Sequence, residues 1–254
     1  MKDSIIKKIN RYLSKTLVFV FWIAVWQIIH LVIKRDIYVP SPINVFITLV
    51  DLVLLPIFWK SVFTSIYRVI IGLLISIIIG VLVGIVSSLN RHIYQIVSPL
   101  ITVIKSTPVL SFIIIALIWI SSSNVPIFIC VLMCFPVIWT NVVTGICNID
   151  DKLIQMAKVY RVNRLIVLKE IYLPSIKPYL TAAVITSLGL GWKVTVAAEV
   201  LSHPRNAIGS NLYSAKVYLE SNELFAWTFV VILLSLLFEG VFTEFMEKSQ
   251  KINK

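Results

Sequence analysis

Ionisable side chains that lie within the apolar stretches of the 254-residue chain include Arg68, Lys105, Lys193, Glu199 and Glu239. A charge inside a bilayer is costly, so charges that persist there often bind solutes or relay ions. Lys193 is suited to hold an anionic solute. The structural alternative is an ion pair between Lys193 and a carboxylate of a neighbouring helix, Glu199 or Glu239. Arg68 and Lys105 are close enough to predicted span ends for their charges to reach the interface instead.

The histidines and cysteines do not form a pattern typical of a metal site or a nucleophile. The histidines are scattered at His30, His92 and His203. Cys130 and Cys134 share one helix face without a nearby His or acid, which makes a poor metal set. We therefore interpret these two cysteines and Cys147 as small buried core residues. The sequence predicts no catalytic residue and no metal site.

A nucleotide site is also not expected in this chain. No G-x-x-x-x-G-K-[ST] phosphate loop occurs in the sequence. The stretch GLGWKVT, residues 189–195, lacks the adjacent Gly and Lys of that motif. We interpret Gly189 and Gly191 as helix-packing positions.

The composition predicts an integral membrane protein. The chain is 59% hydrophobic and 14% charged, whereas soluble domains carry about 25% charged residues. Apolar runs of about 20 residues are typical of transmembrane helices rather than of a β-barrel, whose segments are about 10 residues long. The net charge of +11 fits cytoplasmic loops of a membrane protein better than a nucleic-acid partner.

The apolar runs predict an all-α fold with six spans, near residues 16–33, 62–88, 99–121, 126–148, 175–200 and 224–246. Pro40 and Pro42 interrupt the chain after the first span. Residues 43–55 then form a short interfacial helix on the extracytoplasmic side. The alternative for this stretch is a seventh, tilted span.

The basic residues orient the spans, because cytoplasmic loops are enriched in Lys and Arg. With the N-terminus inside, fifteen basic residues fall in cytoplasmic segments and five outside. We therefore predict a cytoplasmic N-terminus over residues 1–15 and a cytoplasmic tail over residues 247–254. Residues 16–61 hold the first span and the interfacial helix. Residues 62–246 hold the core of five spans, with its longest cytoplasmic loop at residues 150–173.

That loop has a helical apolar stripe. Leu153, Met156, Ala157 and Tyr160 follow the i, i+3, i+4, i+7 spacing of one helix face. A second short helical piece follows and is expected to end at Pro174, where the fifth span starts. The stripe either rests in the lipid headgroups or docks in a groove of a soluble partner.

The loop resembles the signature of binding-protein-dependent ABC importer permeases, E-A-A, three residues, G, nine residues, I-x-L-P. In this chain the match is Gln155-Met156-Ala157, Arg161, and the segment Ile171-Tyr172-Leu173-Pro174. Gln replaces the acid, Met replaces the first Ala, and Arg161 replaces the glycine. The arginine puts the usual sharp turn in doubt, since glycine is the residue that turns without strain.

Further stretches resemble the branch that serves aliphatic sulfonates, taurine, nitrate and thiamine precursors. These are VPSPINVF, TSIYRVIIGLLISIIIGVLVGIVSSLNR, IKSTPVLSFIIIALIWIS, GWKVTVAAEVL and AIGSNLYSA, in this order over about residues 38–246. Two departures occur: Ser106 replaces a proline, and residues 121–124 replace an F-G-x-G pattern.

The resemblance implies a permease that works as a homodimer with two ATPase subunits and an extracytoplasmic solute-binding protein, in the bacterial cytoplasmic membrane. ATP and Mg would be bound by the ATPase subunits and not by this chain. The ATPase-coupling residues would be Leu153, Gln155, Met156, Ala157, Lys158, Tyr160, Arg161, Arg164, Ile171, Leu173 and Pro174. The solute-pathway candidates are Lys105, Trp119, Trp192, Lys193 and Glu199, and for the two tryptophans packing between helices is the favoured alternative.

Small residues that let helices approach closely are Gly72, Gly80, Gly84, Gly189 and Gly191.

Two other functions stay open from the residues alone. A secondary transporter driven by an ion gradient would use Lys193, Glu199 and Glu239 as a relay, but it predicts inverted repeats that the sequence does not display. A membrane enzyme would need a constellation of catalytic groups, which is not evident.

Overall fold

The structure is a computed structural model that describes residues 2–251, with side chains described for residues 16–18, 20–163, 165–241 and 244. Every regular element in this range is a helix. The helices are α1 (Lys2–Ile33), α2 (Pro42–Leu54), α3 (Pro56–Leu89), α4 (Arg91–Ser106), α5 (Val109–Trp119), α6 (Val125–Cys147), α7 (Asp151–Val159), α8 (Arg164–Val167), a π-helical turn (Leu168–Tyr172), α9 (Leu173–Ser202), α10 (Ile208–Val217) and α11 (Ser221–Lys251).

The predicted membrane helices are confirmed in number and approximate position. Five helices are long and apolar enough to cross a bilayer, and six crossings result if one bent pair counts as a span. The long apolar stretches lie at Thr16–Ile33, Pro56–Leu89, Val125–Cys147, Leu165–Ser202 and Ser221–Val241. The second span begins six residues earlier than expected, at Pro56.

The third predicted span, residues 99–121, is not one straight helix. It is divided into α4 and α5, which are bent by 106° at the break between them. Thr107 has an extended backbone (φ −85°, ψ 133°), as expected for a residue that precedes a proline. Pro108 then begins α5 as its N-cap. The interruption places a turn inside the apolar stretch that composition alone had treated as continuous.

Residues 1–59 together with 211–230 form one compact unit. Within it, the Pro-Ser-Pro segment starts α2: the Ser41 side chain accepts a hydrogen bond from the Asn44 backbone N–H at 3.1 Å, and Pro42 occupies the first turn. The Trp26 indole donates to the Pro40 carbonyl at 3.1 Å. The 13 residues of α2 rise only about 20 Å, less than the roughly 30 Å of a bilayer core. This length favours the interfacial helix over a seventh span.

Residues 60–210 together with 231–254 form the second unit. Its most extensive helix pair is α6 with α9. Buried apolar side chains between these helices include Ile138, Val142, Ile176 and Ala183. A second apolar cluster joins α5, α6 and α9. The candidate coupling loop, α7 to the π-helical turn, lies between the two helices of this central pair.

The expectation that Pro174 ends one helix and starts another is wrong. Tyr172 and Leu173 keep helical backbone angles, so residues 164–202 form one continuous helix through α8, the π-helical turn and α9. A proline ring clashes with the carbonyl four residues earlier in a regular α-helix. Here that residue, Glu170, belongs to the π-helical turn, whose wider winding accommodates the proline without a break.

Candidate coupling helix, ion-pair cluster and solute pathway

The candidate coupling helix α7 has a defined start. The Asp150 side chain caps it by accepting a hydrogen bond from the Lys152 backbone N–H at 2.9 Å. Asp151 follows in the first turn, where a negative charge is favourable because the helix N-terminus carries partial positive charge. Such caps stabilise a helix by about 1 kcal/mol, which helps nine residues to remain helical between long apolar spans.

The end of α7 keeps the sharp turn that the substitution by Arg161 had put in doubt. Arg161 takes a left-handed backbone with φ of 51°. The Arg161 N–H donates to the Lys158 carbonyl at 3.1 Å, and the Val162 N–H donates to the Ala157 carbonyl at 2.9 Å. This pair of bonds is the Schellman arrangement, which usually employs glycine. The turn is therefore maintained by its hydrogen bonds, with an arginine in a position that strains L-residues.

The predicted apolar stripe divides into two faces. Leu153, Met156 and Tyr160 are exposed at 43%, 51% and 76%. Ala157, by contrast, is buried at 5% exposure. The inclusion of Ala157 in an outward docking stripe is therefore wrong, because the helix rotates this side chain toward the rest of its own unit. The outward face retains three large apolar groups that this chain does not cover.

The remaining predicted coupling residues are spread around the loop. Gln155, Lys158 and Arg161 are exposed. Leu173 and Pro174 are exposed and Ile171 is half-buried, all three on the continuous helix that leads into α9. The side chain of Arg164 lies outside the described residues. The I-x-L-P end of the signature is thus part of the membrane helix rather than of a separate loop segment.

A cavity of about 700 Å³ adjoins the inner face of α7. Ala157, Lys158 and Arg161 line it from α7 and its terminal turn, and the end of α3 and the beginning of α9 complete it. Sequence periodicity gave no sign of this cavity, since its walls come from three separate segments of the chain.

A buried ion pair lies at the opposite end of α9. The Arg68 guanidinium is 2.8 Å from a Glu199 carboxylate oxygen. Glu199 is fully buried and Arg68 is 5% exposed. Ser65 Oγ lies 2.8 Å from both carboxylate oxygens, and the Gly209 backbone N–H donates to one of them at 3.1 Å. The carboxylate is therefore fully satisfied within this cluster.

The cluster connects α3, α9 and the first residues of α10. Ser65 Oγ accepts from the Ile208 backbone N–H at 3.0 Å, while Arg68 reaches the Arg205 carbonyl at 3.4 Å. A Cβ added at Gly209 would lie 2.5 Å from the Glu199 Cβ, so only glycine allows this approach. The cluster unites three stretches that had been matched to the family separately, around Ser65 and Arg68, around Glu199, and around Gly209.

This geometry corrects several assignments to the solute pathway. Glu199 is buried with Arg68 as its partner, so it neither lines an open surface nor pairs with Lys193, the structural alternative proposed from the sequence. The alternative in which the Arg68 charge reaches the interface does not hold either, because this side chain is buried against Glu199. Trp192 is 1% exposed, donates to the Val231 carbonyl at 3.1 Å and stacks on Phe238. Trp192 is thus a packing residue.

Three pathway candidates remain on exposed surfaces. Lys193 is exposed, and among the described side chains it forms no ion pair with Glu239 or any other acid. Lys105 donates to the Thr140 hydroxyl at 2.8 Å, which joins α4 to α6. Trp119 is 81% exposed at the end of α5.

The glycines of α3 are close-packing positions. A Cβ at Gly72, Gly80 or Gly84 would lie between 2.6 and 2.8 Å from a side chain of α6. Gly191 faces the Cys130 and Cys134 sulfurs, each 3.2 Å from such a Cβ. Gly72 packs against Cys130, Gly80 against Ile138 and Gly84 against Val142.

Two of the packing assignments need correction. Gly189 has no neighbour within 4 Å of an added Cβ, so it is not a packing position within the described chain. Cys130 and Cys134 are buried as expected, but Cys147 is exposed. Cys147 is the last residue of α6, where the helix emerges into the loop that precedes α7.

Residues 72–247 match the family described as "Binding-protein-dependent transport system inner membrane component". The chain belongs to this family. The match covers α6 to α9, and therefore both the coupling loop and the Glu199 end of α9. Membership identifies the chain as a permease component of an ABC importer, which replaces the alternatives of a secondary transporter and a membrane enzyme.

The permease is similar to curated proteins of the predicted branch. It is 28% identical over 205 residues to the nitrate import permease protein NrtB of Synechococcus elongatus, covering 76% of this chain and 73% of the relative. It is 24% identical over 206 residues to SsuC of Bacillus subtilis, a permease protein named for aliphatic sulfonates. The match covers 80% of this chain and 74% of that relative. It is 23% identical over 182 residues to the taurine transport system permease protein TauC of Escherichia coli. This match covers 71% of this chain and 66% of that relative.

A solved structure has the same fold. An inward-facing structure of the MetNI methionine ABC transporter superposes with a TM-score of 0.65 at 15% identity, covering 76% of this permease and 95% of the matched chain. The similarity to the three curated permeases confirms the predicted resemblance to the branch that includes sulfonate, nitrate and taurine permeases.

Proposed function

We propose that two copies of this permease form a pathway for a small anionic solute, and that α7 transmits the action of separate ATPase subunits to that pathway. The observation that carries the coupling role is the outward face of α7. It presents Leu153, Met156 and Tyr160, all exposed, on a short helix that is capped at both ends. An exposed apolar helix face of this kind suits a groove in a partner protein.

The proposed partners follow from the family and from the relatives. ABC importer permeases work with ATPase subunits and a solute-binding protein, and we propose two ATPase subunits for a permease homodimer. ATP and Mg would be held by those subunits. ATPase action requires the loop on the cytoplasmic side of a bacterial cytoplasmic membrane, in agreement with the excess of basic residues in the loop.

An anionic solute is supported by two observations. Lys193 is an exposed cation on the central helix α9, and Lys105 is a second exposed cation next to α6. The names of the relatives refer to nitrate, aliphatic sulfonates and taurine. Nitrate and sulfonate groups are anions that ammonium groups bind well.

The coupling role can be tested with a matched pair of variants. Met156→Asp places a charge on the outward face of α7, and Ile166→Asp places the same charge on α8. Their exposures are nearly equal, 51% and 52%. An unpaired charge buried at an interface costs several kcal/mol, so Met156→Asp should lose the co-purified ATPase and ATP-driven transport. Ile166→Asp should keep both. Equal ATPase recovery in the two variants would contradict the coupling role of α7.

The orientation can be tested by labelling single cysteines. In a variant without the three native cysteines, Asn222→Cys should react with an impermeant thiol reagent in intact cells. Asn163→Cys should react only after the membrane is opened. Reaction of the Asn163 variant in intact cells would reverse the proposed topology.

A further inference from the structure

The cavity beside α7 has walls from three segments of one unit. Ile85 and Leu89 line it from the last turns of α3, and Ile176 lines it from the beginning of α9. Leu165 and Leu168 add apolar walls from the intervening helix. Its volume of about 700 Å³ is in the range of pockets that bind small organic ligands.

The polar part of this cavity is basic. Lys158 and Arg161 line it, and no acidic residue is among the lining residues that the structure describes. Both cations are exposed, so their charged groups are available to a ligand. An apolar cavity with two cations at its edge fits an amphipathic ligand that has an anionic head.

The position of the cavity indicates the source of such a ligand. Leu89 is the last residue of a 34-residue apolar helix, and Ile176 lies in the first turn of α9. The cavity therefore lies at the loop end of α3 and beside the first part of the continuous helix 164–202, where we place the lipid headgroups of the cytoplasmic leaflet. Basic pockets between membrane helices at this depth bind anionic lipid headgroups.

We propose that this cavity binds an anionic phospholipid, with an acyl chain against Ile85, Leu89 and Leu168 and the phosphate held by Lys158 and Arg161. The lipid would fill the space between the inner face of α7 and the end of α3. The outward face with Leu153, Met156 and Tyr160 would stay free for the ATPase. The proposal rests on the proposed function only in assigning the cavity to the cytoplasmic leaflet.

Lipid binding can be measured on the assembled transporter with its ATPase. The delipidated complex would be titrated with phosphatidylglycerol or with phosphatidylcholine of identical acyl chains, and bound lipid would be counted by native mass spectrometry. We expect a preference for phosphatidylglycerol of roughly 25-fold, about fivefold for each of two cations near an anionic group. Inorganic phosphate at millimolar concentration should not displace the lipid, because it lacks the acyl chain.

Matched variants locate the binding site. The double variant Lys158→Gln with Arg161→Gln should abolish the preference for the anionic lipid, whereas Lys152→Gln, on the same helix but not in the cavity wall, should preserve it. Leu89→Trp should weaken binding of both lipids by filling the cavity. Leu82→Trp is the control on the same helix, since Leu82 and Leu89 are 60% and 63% exposed and only Leu89 lines the cavity.

Three results would overturn the proposal. The first is equal binding of the two lipids, and the second is an equal effect of Lys152→Gln and the double variant. The third is release of lipid from the isolated permease when the ATPase is added, which would make the cavity part of the ATPase interface. The number of bound lipids does not depend on transport. The lipid proposal can therefore be contradicted or supported whether or not Met156→Asp uncouples the ATPase.

Discussion

The two ends of the continuous helix 164–202 differ in how firmly the protein holds them. At the Ser202 end, Glu199 is fully buried and is bonded by Ser65, Arg68 and Gly209. At the Arg164 end, Leu165 is 73% exposed and the helix passes through a π-helical turn beside a cavity. π-helical turns often occur at functional sites. The Ser202 end is therefore bonded to α3, whereas the Arg164 end is less enclosed, and under the proposed coupling role movement would enter α9 at the Arg164 end.

The largest effect on stability is expected at the Ser202 end of the helix, where Arg68 and Glu199 form their ion pair. Arg68→Met would leave the buried Glu199 carboxylate without its cation, and breaking a buried ion pair costs about 3–5 kcal/mol in the free energy of unfolding. The midpoint of thermal unfolding of the purified transporter measures this loss. Adding Glu199→Gln should recover most of the stability, because the amide oxygen still accepts from Ser65 and Gly209. A double variant as unstable as Arg68→Met alone would contradict the ion-pair explanation.

A smaller loss is expected where α3 packs on α6. An alanine at Gly84 would bring its Cβ to 2.8 Å from a Val142 methyl carbon, and overpacking of this kind costs about 1–3 kcal/mol. Gly189→Ala is the control, since nothing lies within 4 Å of its added Cβ. Thermal unfolding should separate the two variants. If Gly189→Ala instead dissociates the proposed homodimer, Gly189 lies at the contact between the two copies.

A gain in local stability is expected at the end of α7. Arg161 has a φ of 51°, which costs an L-residue about 1–2 kcal/mol and costs glycine little. After the greater freedom of glycine in the unfolded chain is subtracted, Arg161→Gly should stabilise the turn by about 0.5–1 kcal/mol. Hydrogen exchange of the amides in residues 151–162 reports this change. Lys158→Gly, inside the helix, should accelerate the same exchange.

The smallest change in stability is expected at Lys193. This side chain is exposed and forms no ion pair among the described residues, so Lys193→Met should alter the free energy of unfolding by about 0.5 kcal/mol or less. Transport of an anionic solute should nevertheless fall sharply if the ammonium meets that solute. Unchanged transport by the stable variant would remove Lys193 from the pathway. A large loss of stability would instead reveal a structural partner.

Some features of this permease were determined by the sequence itself, because they depend on neighbouring residues. The apolar runs predicted the membrane-spanning helices, apart from the break between α4 and α5. Ser41 and Pro42 fixed the start of α2 through a local hydrogen bond and a restricted φ. The spacing from Gln155 to Pro174, together with the other matching stretches over about residues 38–246, indicated the family although the acid, the first Ala and the glycine of the signature were replaced. Each of these signals depends on residues within a few helical turns of one another, so each can be recognised in the sequence.

Other features were decided by the tertiary structure, because they depend on residues distant in the chain. Arg68 and Glu199 are 131 positions apart, and no periodicity distinguishes this partner from Lys193. The burial of Ala157 depends on what packs against α7, so the spacing of its apolar residues placed it on the wrong face. The Pro174 segment stays helical because the preceding turn widens, a backbone adjustment that residue preferences do not encode. Helix propensity and hydrophobicity select the elements, whereas long-range packing selects which polar groups meet.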